Sequence, residues 1–247
     1  MVPYPSNSSA LEIFIQRLSA HSRLGSEEQD ALLRLPVTLM RYPAHVDIVR
    51  QGTITDHACL VSEGLVGRYG QTADGKRQFL SLHLPGEMVD LPSVVAPQAT
   101  SAINALAPST VMKVPHAALR EASDRYPAIA AAFWRDCVLD AAIVAQWLLN
   151  VGRRDARART AHLVCELAVR SRNVSAAARD QFSLPITQEQ MGDALGLTPV
   201  HVNRILKGLR EEGLMTLARG RVVIEDWRGL TTAAEFDGAY LNGLGAI

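Results

Sequence analysis

Residues 198–207 read Thr-Pro-Val-His-Val-Asn-Arg-Ile-Leu-Lys, and this is where the chain gathers side chains suited to touching a nucleic acid. A guanidinium such as that of Arg204 donates two parallel hydrogen bonds to guanine O6 and N7. His201 and Asn203 carry groups that reach base edges or phosphates, whereas Val200 offers only contact with a thymine methyl. Thr187, Gln188, Thr198 and Lys207 are candidates for phosphate contact, because helix N-termini attract anions. Farther on, the turn "ARGR" places Arg219 and Arg221 where a phosphate backbone could meet them.

Those side chains need two helices and a tight turn to aim them. In "PITQEQMGDALGLTPVHVNRILKGLREEG", residues 185–213, Thr187 and Gln190 form a capping-box pair ahead of an apolar face of Met191, Ala194 and Leu195. Gly196 supplies a turn that wants positive φ. Thr198 caps the second helix, and Pro199 takes its first position, where no N–H is needed. Val202, Ile205, Leu206 and Leu209 face inward, while His201, Arg204 and Lys207 fall outward. This is the pattern of a helix-turn-helix with a recognition helix. The following "GLMTLARGRVVIEDW" reads as a hairpin, the wing of a winged helix.

Composition supports a nucleic-acid module joined to a neutral one. Net charge is zero over 247 residues, yet residues 1–150 carry a net −2 and residues 151–228 a net +4, nearly all from arginine. Three scattered cysteines (Cys59, Cys137, Cys165) fit a reducing compartment and provide neither a disulfide framework nor a zinc site. No secretory signal and no membrane-length apolar run is visible, so the chain reads as cytoplasmic, with no membrane partner. Absent too are GxSxG, Walker and HExxH motifs, so the expectation is not an enzyme and no cofactor or metal. His57 and Cys59 are two ligand types without a third.

Upstream, "LEIFIQRL" and "SEEQDALLRL" read as helices, with Ser26 and Gln29 as a capping box. Residues 40–115 hold short apolar runs separated by turns, the pattern of a small antiparallel barrel or sandwich. Asp74-Gly75 is a hairpin signal in which both central residues take positive φ. After Pro127, Ala130, Trp134, Cys137, Ala141, Val144 and Leu148 recur at four and three, flanked by a second stripe of Ile129, Phe133, Ile143 and Trp147. A helix apolar on two faces either lies within one core or packs one face on the barrel and the other on a twin helix. The second reading makes Trp134, Cys137, Ala141, Val144 and Leu148 a dimer interface.

With these motifs in place, the sequence from about residue 25 to 227 resembles the CRP/FNR family of transcription regulators. The resemblance rests on "VRQG", "LVSEGLVGRY" and "DGKRQFLSLHLPGE" in the β-rich half, the two-stripe helix, and "ITQEQMGDALGLTPVHVNRILKGLREEGLM". It implies an α+β fold: an antiparallel β-roll sensor domain (1–125), a dimerisation helix (126–151), a winged helix-turn-helix domain (152–228) and a tail (229–247). It also implies a homodimer on a two-fold symmetric operator in double-stranded DNA, its recognition helices roughly 34 Å apart, acting on RNA polymerase. Arg204 matches the family's base-reading arginine. Pro199 and Val200 stand where cyclic-AMP-responsive members carry Arg-Glu.

The resemblance departs at the effector pocket. Aligned on "PGE" at Pro85–Glu87, the family's ribose-binding Gly-Glu becomes Asp90 and Leu91. The phosphate-binding Arg-Ser becomes Thr100 and Ser101, and the adenine-contacting Thr-Ser becomes Val144 and Ala145. An anionic phosphate without its arginine is disfavoured. The iron–sulfur and haem branches need cysteines and histidines at positions that lack them here. The expected effector is therefore an unknown small molecule other than cyclic AMP, or none. Two alternatives stand beside it: a cyclic-nucleotide-responsive regulator, and a cyclic-nucleotide-binding-type regulatory module that does not bind DNA. The tail reads as a short helix, Leu230–Phe236, with an apolar end.

Overall fold

A computed structural model describes residues 7–172 and 180–242. Two compact units make up the chain. One contains the residues up to Arg68, Leu82–Ala141 and the end from Asn242; the other contains Tyr69–Ser81 and Ala142–Leu241.

The first unit begins with helices α1 (Asn7–His21) and α2 (Ser26–Leu33). Gly25, not Ser26, occupies the N-cap of α2, and Gln29 donates to the Leu24 carbonyl instead of closing a capping box. Ser26 already has a helical position, so its hydroxyl has lost the geometry that caps. Strands β1 (Thr38–Tyr42), β2 (Val46–Val49), β3 (His57–Glu63), β4 (Val66–Gln71), β5 (Arg77–His83), β6 (Ala102–Ala105) and β7 (Ser109–Pro115) follow along the chain, the Tyr69–Ser81 part of β4 and β5 being counted with the other unit. They form two antiparallel sheets, ordered β1-β7-β3 and β2-β6-β4-β5. Val49, Cys59, Val61, Val66, Val89, Ile103 and Val111 fill the space they enclose. The opposite face of β3 and β7 packs on α1, α2, α3 (His116–Arg125) and the start of α4 (Pro127–Gly152) through Phe14, Leu32, Leu60, Met112, Leu119, Ile129 and Phe133.

The β4–β5 turn differs in detail from the sequence expectation. Gly75 alone has positive φ (87°), and Asp74 does not. Gly75 N–H donates to the Thr72 carbonyl and Thr72 N–H to that of Lys76. This is the longer hairpin loop in which only the final glycine is left-handed, and Asp74 instead pairs with Lys76 at 2.7 Å.

Both stripes of α4 exist. Ile129, Phe133, Ile143 and Trp147 are buried. Trp134 (69% exposed) and Leu148 (71%) stand in solvent with Val138, Ala141 and Ala145, while Cys137 and Val144 are half-buried. The exposed line therefore runs 134-138-141-145-148, one residue off the expected line at two places. Cys137 and Val144 turn toward the covered side, where burial pushes the Cys137 thiol up to about 11.

In the second unit, α5 (Ala156–Arg172), β8 (Gln181–Ser183), α6 (Gln188–Leu195), α7 (Pro199–Glu211), β9 (Met215–Ala218) and β10 (Arg221–Ile224) build a winged helix-turn-helix. Its sheet is ordered β8-β10-β9. Helices α8 (Trp227–Ala234) and α9 (Ala239–Asn242) follow. The expected apolar end, residues 243–247, lies outside the described residues.

Candidate DNA-binding surface

The caps expected from sequence are formed. Thr187 Oγ1 accepts from Gln190 N–H at 3.1 Å, and Gln190 Oε1 accepts from Thr187 N–H at 2.8 Å. Gly196 ends α6 in the left-handed region with φ 63°, a conformation that a Cβ makes costly. Thr198 Oγ1 accepts from His201 N–H at 3.3 Å and starts α7, with Pro199 in its first turn. Val202 and Leu209 are fully buried, and Ile205 and Leu206 half-buried, which fixes the roll of α7 about its axis.

That roll sets the outward face. Val200 is 81% exposed, a large apolar side chain held in water at the mouth of a helix. Asn203 and Arg204 are exposed and His201 half-buried. Asn203 donates to Gln188 Oε1 at 3.4 Å, so one candidate base reader is steadied by one candidate phosphate contact. Thr187, Gln188, Thr198 and Lys207 are all exposed. Lys207 lies 3.6 Å from Glu211 in an exposed pair, which water and salt screen.

At the wing, β9 and β10 pair with Ala218 opposite Arg221, leaving Arg219 and Gly220 as a two-residue loop. Both have positive φ (51° and 71°), as this tight hairpin turn demands. Arg219 thus takes a conformation unusual for a side-chain-bearing residue and projects from the tip. Arg221 donates to Gln181 Oε1 on β8 at 2.7 Å, a partner with no signal in the local sequence.

The candidate effector residues have a different setting. Glu87 is buried, accepting from Arg17 at 2.6 Å and from Leu84 N–H at 3.1 Å, with His83 3.7 Å away. Asp90 accepts from Cys59 N–H at 2.6 Å, and burial pushes its carboxyl up to about 6. Arg68 reaches both oxygens of Asp140 at 2.9 and 2.7 Å, and the Val89 carbonyl at 3.3 Å. Leu91 is buried, Ser101 half-buried and Thr100 exposed. Of the two α4 candidates, Ala145 is exposed and Val144 half-buried toward the covered side.

His57 pairs with Asp56 at 2.7 Å, and Cys59 is fully buried, its thiol pushed far up by burial. Among the described residues, no three His, Cys, Asp or Glu side chains are grouped to hold a metal. No described helix is long and apolar enough to cross a membrane.

Comparison with known proteins agrees with this geometry. Residues 39–126 match the cyclic nucleotide-binding domain family, and residues 144–233 match the Crp-like helix-turn-helix domain family. The nitrogen fixation regulation protein FixK of Rhizobium meliloti (strain 1021) is 29% identical over 188 residues, covering 76% of this chain and 82% of that protein. The transcriptional activator protein FnrL of Cereibacter sphaeroides is 27% identical over 240 residues, covering 90% of each. Among solved structures, FixK2 from Bradyrhizobium japonicum superposes with a TM-score of 0.73 at 26% identity, covering 81% of this chain and 98% of that one.

Proposed function

The chain belongs to the CRP/FNR family of transcription regulators and is a DNA-binding regulator; from that premise we propose that it works as a homodimer on a two-fold operator, without a cyclic nucleotide. The observation that carries the DNA reading is α7 itself. It is the second helix of a capped helix-turn-helix, with Val200 and Arg204 held out at its opening turns. Arg204 reads a guanine, Val200 touches a thymine methyl, and His201 and Asn203 supply the remaining contacts. Thr187, Gln188, Thr198, Lys207, Arg219 and Arg221 hold phosphates. The partner copy covers the exposed line Trp134, Val138, Ala141, Ala145 and Leu148, and the dimer acts on RNA polymerase in the cytoplasm.

Selection of bound duplexes from a random pool tests this reading. The expected product is a two-fold site with one guanine per half-site for Arg204 and a consensus unlike the cyclic-AMP type. Affinity should fall steeply with salt, because each phosphate contact releases a counterion. Salt-independent binding, or recovery of the cyclic-AMP-type consensus, overturns the assignment.

The pocket supports the second half of the reading. Arg68 is engaged by Asp140, Asp90 is buried on Cys59 N–H, and valines fill the interior of the roll. A cyclic phosphate would meet a buried carboxylate in place of a free guanidinium. Melting temperature should stay constant with cyclic AMP or cyclic GMP, since any ligand of the native state raises it.

A further inference from the structure

Glu166, in the middle of α5, is fully buried. A buried carboxylate is costly unless its oxygens are taken up by donors. Here three elements supply them. Trp147 Nε1, near the end of α4, lies 3.1 Å from both oxygens. Arg170, one turn along α5, donates at 2.8 Å. Tyr240 Oη, in α9, donates at 2.8 Å.

One turn earlier on α5, His162 carries a second row of contacts. Its ring meets Phe236 edge-on at 5.1 Å and stacks on Tyr240 at 6.1 Å. Asn150, on the last turns of α4, approaches His162 Nδ1 at 3.1 Å. Arg154 donates to Asn150 Oδ1 at 2.8 Å, and its guanidinium lies 3.8 Å from the Glu235 carboxylate. Leu230, Ala234 and Leu241 are buried alongside.

Both rows span residues 153–155, the short connector between α4 and α5. The helix-turn-helix is carried on α5, so this connector sets how α6 and α7 stand on the last turns of α4. Phe236 and Tyr240 lie beyond the matched family region, which ends at residue 233. Without them, Trp147 and Asn150 would still touch α5, but Glu166 would lose its Tyr240 donor and the His162 ring both of its aromatic neighbours.

We propose that the segment Trp227–Leu241 is a brace for the α4–α5 junction, and that Tyr240, acting through Glu166 and His162, is a positioning residue for binding of the two-fold operator. The inference rests on the homodimer–operator reading above. Simultaneous engagement of two half-sites demands one particular junction geometry; a single half-site demands none.

The test compares the full-length protein with its Tyr240→Phe and Phe236→Ala/Tyr240→Ala variants on two duplexes: the selected operator, and the same duplex with one half-site scrambled. Two linked contacts typically gain about 10²–10⁴-fold over one, and the wild type should show such a preference for the whole operator. The double variant should lose about tenfold or more of that preference, and Tyr240→Phe less, with half-site affinity and dimer mass unchanged. Equal loss on both duplexes, or an unchanged ratio, overturns the inference. Hydrogen exchange at residues 151–156 decides it independently of DNA: both variants should exchange faster there, and unchanged protection overturns the brace. A wild type indifferent to the second half-site sinks the homodimer–operator reading instead, leaving the exchange measurement to judge the brace.

Discussion

The β-roll and the helix-turn-helix treat their polar residues in opposite ways. In the roll unit, the charged side chains around the candidate pocket are bonded within the fold: Arg17 with Glu87, Arg68 with Asp140, Asp90 with Cys59 N–H. On α7, Val200, Asn203 and Arg204 stand in water, and only Asn203 is steadied, by Gln188. A side chain whose bonds are closed inside the fold contributes to stability and has little left for a ligand. One held out by a rigid helix contributes little to stability and keeps its full bonding capacity. Substitutions in the two regions should therefore fail in different assays.

The largest effect is expected in the roll. Glu87→Ala leaves Arg17 and His83 beside a buried void, and removing one partner of a buried pair costs about 3–5 kcal/mol. Urea unfolding should show that loss directly. A loss under 1 kcal/mol would mean that the network is not closed as the distances imply. Next comes the α4 face, where Trp134→Ala should weaken the dimer by about 2 kcal/mol or more, as truncation of a central aromatic anchor does. Sedimentation equilibrium reads this, and an unchanged dimer would move the interface elsewhere.

Arg204→Ala sharpens the contrast from the other side. Discrimination at one guanine should fall by about 1–3 kcal/mol, with that position relaxed in competition binding. Unfolding free energy should stay within about 0.5 kcal/mol of wild type, as for other surface changes. If Arg204→Ala destabilised the fold as Glu87→Ala does, the distinction between the regions would collapse.

The same distinction explains what could be read from sequence. The caps at Thr187 and Thr198, the left-handed turn at Gly196 and the stripes of α4 are local: their partners lie within a few residues, so spacing reveals them. Ser26 shows the limit even there, because a one-residue shift of the helix start made Gly25 the cap. The same holds for α4, where a regular four-three repeat gives the period of the exposed line but not its phase, and Val138 stands out where Cys137 was expected. Arg17 and Glu87 are 70 residues apart, Arg68 and Asp140 are 72, and Glu166 and Tyr240 are 74. No spacing rule joins them, because partners so far apart in the chain meet only through the tertiary fold.

The smallest predicted effect is a proton count. Burial raises the Asp90 carboxyl to about 6 against an ordinary 3.8, with the Cys59 N–H and Arg68 pulling the other way. Between those values the folded state binds the proton that the unfolded chain has released. The resulting stabilisation is complete below about 3.8 and is lost as pH rises through about 6. Asp90→Asn removes this dependence, so the stability of the wild type relative to the variant should grow by about 1 kcal/mol from about pH 7.5 to about pH 5.3. His162 in the other unit has the opposite sign. Burial lowers it to about 4 from 6.5, so the folded state refuses a proton that the unfolded chain accepts. Its contribution is held above about 6.5 and lost as pH falls toward 4, and His162→Gln should flatten that loss. Urea titrations of the two variants should therefore depart from wild type in opposite directions on acidification. Parallel departures would mean that the two buried groups do not sit in the environments that the contacts around them describe.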